Sequence, residues 1–189
     1  PKPAETARTG LLPRLKKPEG LMVLKSQQVK VDGETKPVHY AKLKAEADSD
    51  CLFAGTGKLF LTFQLDPVYH VHWNNLGPPV KLSVSSDDEF ATVTPASVEG
   101  QKPDAEGDAD PREFELDVDG WDPEKPLKIE FSYIGCHDAD GWCMPIRQSF
   151  EVRCETATQR GITILPEHSA RLIRSLNIRD GEEPEVHIT

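Results

Sequence analysis

Leu127-Lys128-Ile129-Glu130-Phe131-Ser132-Tyr133-Ile134-Gly135-Cys136-His137-Asp138-Ala139-Asp140-Gly141-Trp142-Cys143-Met144-Pro145-Ile146-Arg147-Gln148-Ser149-Phe150-Glu151-Val152-Arg153-Cys154 is the stretch that decides the fold. Its two halves carry apolar residues at alternate positions, the period of a β-strand with one buried face. If Cys136 faces Cys143 at a hairpin end, Ile129 opposes Phe150, Phe131 opposes Gln148 and Tyr133 opposes Ile146. The apolar odd positions of the first strand then meet the mainly apolar even positions of the second. A slip of one residue would turn one strand's apolar set to the wrong face. The register that buries the core therefore also brings the two cysteines together.

The same period extends upstream. In Leu59-Phe60-Leu61-Thr62-Phe63-Gln64-Leu65 the odd positions are all apolar. Tyr69, Val71 and Trp73 share one face, and His70 and His72 share the other. Val80, Leu82 and Val84 repeat the pattern, as do Phe114, Leu116 and Val118. Short alternating strands separated by Pro, Gly and Asp turns predict an all-β, immunoglobulin-like antiparallel β-sandwich. Its expected extent is 21–160, with a first strand within 21–31. Residues 1–20 read as a disordered or extended tail or linker. Residues 99–112, rich in Gly, Pro and Asp, read as a mobile acidic loop. Residues 161–189 form a C-terminal extension whose segment 166–177 has a short-helix pattern, with Pro166 at its first position. The chain begins at Pro1, so a preceding segment or neighbouring domain is expected.

Composition narrows the function classes. A formal net charge of −10 opposes nucleic acid as a partner, because phosphate binding needs clustered Lys and Arg. No run of about 18 apolar residues occurs, so no membrane-spanning helix is expected in this sequence. Four cysteines in a strand-rich chain fit disulfides in a periplasmic or other extracytoplasmic compartment. Cys51 and Cys154 are candidates for a second, structural disulfide, with two buried thiols as the alternative.

Cys136 and Cys143 admit two readings: a static bond pinning a hairpin, or a redox-active pair. The polar loop between them places the sulfurs near solvent, as exchange requires. Asp138 and Asp140 would raise a nearby thiol pKa and a protonated His137 would lower it; Trp142 completes that environment. His70 and His72 form a weak candidate metal pair, copper first. Trp73 reads as core, and Trp121 and Trp142 as packing against the sandwich ends. No G-x-S-x-G, P-loop or H-E-x-x-H sequence is present.

The run 133–145, an aromatic, Gly-Cys, a short Asp/Ala/Gly loop, Trp-Cys and a nearby proline, resembles the N-terminal periplasmic domain of the thiol:disulfide interchange protein DsbD. Leu61-Thr62-Phe63-Gln64-Leu65 and Tyr69-His70-Val71-His72-Trp73 resemble that family's early strands, and the likeness covers roughly residues 51–155. The loop holds six residues between the cysteines, one more than the family pattern. The resemblance implies an electron-passing cysteine pair without metal or organic cofactor. Its implied partners are thioredoxin-like or other redox protein domains, with Cys143 forming the mixed disulfide and Cys136 resolving it. It also implies a shielding loop, for which Asp88-Glu89-Phe90 has the composition and the acidic loop after Gly100 the position. A non-enzymatic interaction domain with structural disulfides is the competing expectation.

Overall fold

A computed structural model describes residues 10–30 and 38–154. The expected helix at 166–177 and the acidic tail beyond it lie outside the described residues. In chain order the elements are β1 (Met22–Val23), β2 (Lys25–Val29), β3 (Ala41–Ala47), α1 (Ser49–Phe53), β4 (Gly57–Leu65), a 3-10 turn (Pro67–Tyr69) and β5 (His72–Asn74). They continue with β6 (Lys81–Ser86), β7 (Thr92–Thr94), β8 (Ser97–Glu99), β9 (Gly107–Asp108), β10 (Arg112–Asp119), β11 (Leu127–His137) and β12 (Trp142–Arg153). They build the expected all-β sandwich from two antiparallel sheets. Sheet A has the order β1-β3-β4-β10-β7. Sheet B runs β2-β12-β11, and the far edge of β11 is shared by β5, which leads to β9, and by β6, which leads to β8. Among the described residues no helix is long and apolar enough to cross a membrane.

The register of β11 and β12 is the one that their alternation demands. Ile129 pairs with Phe150, Phe131 with Gln148, Tyr133 with Ile146 and Cys136 with Cys143. Their inward faces meet sheet A through an aromatic cluster. Phe63 of β4 stacks on Phe131 at a centroid distance of 3.8 Å and meets Phe114 and Phe150 edge-on at 6.0 and 5.8 Å. Trp73 packs edge-on against Tyr133 at 4.9 Å. Gln148 is the polar exception on this face, and its amide is fully used. It accepts from the Tyr133 hydroxyl and the Ala41 amide, and it donates to the Ala41 carbonyl. Ala41 belongs to sheet A, so Gln148 ties one sheet to the other. Burial holds the Tyr133 phenol well above its ordinary pKa, which keeps that donor protonated.

Three sequence expectations change. The single strand expected within 21–31 divides between the sheets: β1 pairs with β3 in sheet A, and β2 pairs with β12 in sheet B. Leu24, between them, is buried and donates its amide to the Ala45 carbonyl. Residues 10–17 are not a free tail. They lie along the outer face of sheet A, where Lys17 reaches Glu46 and Thr62, and where Arg14 and the Leu15 amide reach Glu113. The acidic loop is anchored at its C-terminal end by a buried network. Arg112, buried to 2%, grips Asp108 through two hydrogen bonds of 2.9 and 2.7 Å, and Asn75 bonds to both partners. The Arg112 guanidinium also lies 5.3 Å from the Trp73 ring centroid, and the Trp73 indole donates to the Asp110 carbonyl. The Asp110 carboxylate accepts the amides of Gly10, Leu11 and Leu12. Two aspartates of the segment expected to be a mobile acidic loop thus organise a buried network.

Asp108→Ala strands a buried guanidinium and should cost about 3–5 kcal/mol in urea unfolding. Asp87→Ala, which removes an exposed partner of Lys128, should cost no more than about 1 kcal/mol. Burial alone would raise the Glu46 and Glu113 carboxyls, but their cationic and amide partners outweigh it and hold both below the usual 4.5. Their contribution is therefore complete above the unfolded glutamate pKa and is lost as pH falls through the lower folded values. The hydrogen-exchange protection factor of the Leu15 amide should fall as pH drops through these lowered values, before those of the β11 amides do.

Candidate functional site

The hairpin end is built by a four-residue turn. Asp138, Ala139, Asp140 and Gly141 connect the last ladder pair, His137 and Trp142. Gly141 takes φ +66°, a left-handed conformation that favours glycine, and its amide donates to the His137 carbonyl. The Asp140 amide donates to His137 Nδ1. Next in the ladder come Cys136 and Cys143, joined by a disulfide with their Cα atoms 4.1 Å apart.

Strand alternation separates the expected site residues into two groups. The inward positions of β11 are odd-numbered and those of β12 are even-numbered. Cys136 and Cys143 therefore lie on the outer face of sheet B. His137 and Trp142 lie on the other side, where their rings stack at 5.7 Å. Trp142 also meets Tyr40 at 5.8 Å, Tyr40 meets Tyr69 at 5.3 Å, and His70 meets His137 at 6.4 Å. That aromatic cluster braces the hairpin end from behind the sulfurs. Trp121, by contrast, is buried and bonds through its indole to the Lys125 carbonyl.

On the outer face, His72 of β5 stands directly opposite Cys136, and its Nδ1 lies 3.7 Å from Asp138. A Cβ on Gly107 would come within 2.4 Å of the His72 ring, so glycine there leaves space for the imidazole. Asn74, also on β5, donates from Nδ2 to Cys136 Sγ at 3.3 Å. This contact was not legible in the sequence, where Asn74-Asn75-Leu76-Gly77 signals only a turn. The two cysteines differ in access: Cys136 is only 4% exposed, whereas Cys143 is solvent-exposed and is followed by exposed Met144. Beside them on the same face, Pro78, Pro79, Ile134 and Pro145 line an open hollow of about 400 Å³ with Lys81 and Arg147 also at its wall.

Other expected features fall elsewhere. His70 and His72 do not share a strand face. Asp66 caps the Val68 amide and Pro67 starts a 3-10 turn, which leaves His70 in the left-handed region and delays the strand until His72. Among the described residues no group of three or more His, Cys, Asp or Glu is arranged to hold a metal. The Cys51–Cys154 disulfide is not formed. Cys51 is a free thiol with no exposed surface, held inward by α1, whose first turn is capped by Asp48. Cys154 leaves the end of β12 in the other sheet, partly buried against the core, with its amide bonded to the Pro123 carbonyl. Asp88-Glu89-Phe90 lies far from the sulfurs. Lys125 pairs with Asp88, and Gly120 abuts the Phe90 carbonyl, both at the opposite end of β11. The acidic loop is nearer, because β9 pairs with β5, which pairs with β11 at Cys136.

No family model, curated protein or solved structure matches the chain.

Burial, followed by the nearby Asp48 charge, pushes the Cys51 thiol up to about 12. Native protein treated with iodoacetamide at pH 8 should therefore remain unmodified at Cys51 by peptide mapping, whereas the same treatment in guanidinium should label it.

Proposed function

We propose that this domain is a thiol–disulfide exchange module working through Cys136 and Cys143. The observation that carries the reading is the unequal access of the two sulfur-bearing residues. An incoming thiolate reaches exposed Cys143, and buried Cys136 is the leaving group. Attack on Cys143 Sγ breaks the Sγ–Sγ bond, and Cys136 departs with the bonding pair as a thiolate. The second thiolate of a dithiol partner then attacks the partner's own sulfur in the mixed disulfide and releases Cys143 as a thiolate. The partner becomes a disulfide, this pair gains two electrons, and the partner's thiol protons pass to solvent or to the released thiolates. The reverse sequence reduces an acceptor disulfide.

A purely structural bond would have modest leverage at this position. The loop closed by Cys136 and Cys143 is short, with a sequence separation of seven, so its chain-entropy contribution is only about 2–3 kcal/mol. It closes a hairpin already paired from Leu127–Val152 to His137–Trp142. The resemblance to the DsbD N-terminal domain points to the same chemistry, to thioredoxin-like donor and acceptor domains, and to an oxidising extracytoplasmic compartment. The apolar hollow beside the disulfide offers a partner surface within reach of Cys143.

A glutathione redox titration tests the proposal. The expected potential lies above about −300 mV, and Cys136→Ser, which leaves Cys143 as a free thiol, should attack a thioredoxin-like protein that lacks its resolving cysteine and carries thionitrobenzoate on the other, releasing thionitrobenzoate and forming a stable mixed disulfide through Cys143. A potential below that value, together with no exchange, would overturn it.

A further inference from the structure

We infer that Asn74 is the hydrogen-bond donor that stabilises Cys136 as a leaving thiolate, and that it thereby sets the redox poise of the pair. The inference rests on the exchange reading above and adds to it a residue from a different strand.

The geometry leaves the Asn74 amide little choice of orientation. Its Oδ1 accepts the backbone amides of Leu76 and Gly77, at 2.8 and 3.2 Å. Two N–H groups aimed at one end of the side chain require an oxygen there. The other end is then the NH2 group, and it faces Cys136 Sγ at 3.3 Å. The turn at 74–77 thus aims a donor at the sulfur that must carry negative charge when Cys143 is attacked. Asn74 is half-buried and Cys136 is buried. Limited competition from water strengthens the interaction, and it is stronger with a thiolate than with a disulfide sulfur. Such differential binding lowers the barrier to S–S cleavage and favours the reduced state. Titratable groups around Cys136 include His72 opposite on β5, Asp138 beyond it in the turn, His137 next in the chain and Cys143 on β12. The Asn74 donor offsets the unfavourable Asp138 carboxylate without depending on pH.

Two substitutions separate the donor from the turn. Asn74→Asp keeps an oxygen for the Leu76 and Gly77 amides but places an acceptor toward the sulfur. Asn74→Ala removes the donor and adds no charge. Carbon-13 cysteine NMR of the reduced protein reads the Cys136 thiolate fraction, and a glutathione titration reads the disulfide equilibrium. Asn74→Ala should lower the Cys136 acid dissociation constant about tenfold, so that the thiolate fraction near neutral pH falls and the equilibrium shifts toward the disulfide by factors whose product is about ten. Asn74→Asp should shift both further in the same direction, with the oxidised protein melting within a few degrees of wild type. Both variants remaining within about twofold of wild type in both measurements would overturn the inference. The readouts need no protein partner. Shifts in the variants, combined with a wild type that exchanges with no thioredoxin-like protein, would uphold the role of Asn74 while removing the partner reading.

Discussion

The pairing of β11 with β12 is the constraint on which the rest of the molecule depends. Ile129, Phe131 and Tyr133 from one strand, and Ile146, Phe150 and Val152 from the other, face inward only in this register. Each such side chain contributes about 1.5–3 kcal/mol when buried, so a one-residue slip is heavily disfavoured. Phe131 then meets Phe63 across the sandwich, and this stack joins the two sheets at their centre. The same register places Cys136 beside Cys143. Core formation and disulfide formation are consequences of one alignment, and the hairpin needs no separate device to bring the sulfurs together.

A second layer of organisation comes from buried polar groups. Arg112, Asp108 and Asn75 satisfy one another beneath the acidic loop, although Arg112 Nε has no hydrogen-bond partner. An ion pair of this kind is a poor source of net stability, because desolvation opposes the attraction. Its effect here is positional. It ties the loop that carries β9 to Trp73, and β9 is the edge partner of β5. Since β5 supplies His72 and Asn74, the buried network reaches the outer face where the disulfide lies. Gln148 performs a comparable task between the sheets, where any loss of one partner would strand an amide in the core.

The disulfide's surroundings are chemically unequal on its two sides. Behind the hairpin end, His137, Trp142, Tyr40 and Tyr69 form an aromatic brace. On the outer face, one cysteine is covered by β5 and the other is open. Such asymmetry fits an exchange reaction, in which one sulfur is attacked and its neighbour leaves. The cover over Cys136 comes from outside the hairpin, through Asn74 and His72 of β5.

The sequence by itself determined the sandwich class, the strand register and the proximity of Cys136 to Cys143, because side-chain alternation and burial are local consequences of residue order. It also read the core role of Trp73. It did not determine which polar residues were buried: Asp108 and Asp110 sit in a segment that reads as a mobile acidic loop, and although Arg112 is only four residues from Asp108, Asn75 and the amides of residues 10–12 reach these carboxylates from distant parts of the chain. Alternation likewise suggested a common strand for His70 and His72, and the cap at Asp66 broke it. The residues nearest in sequence to the cysteines, His137 and Trp142, are turned away from the sulfurs by the two-residue period of the strand. Asn74, 62 positions away from Cys136, is brought to it by β-pairing. Only the tertiary structure decides such contacts, since a hydrogen bond to a sulfur depends on which strands become neighbours and leaves no periodic trace in either segment.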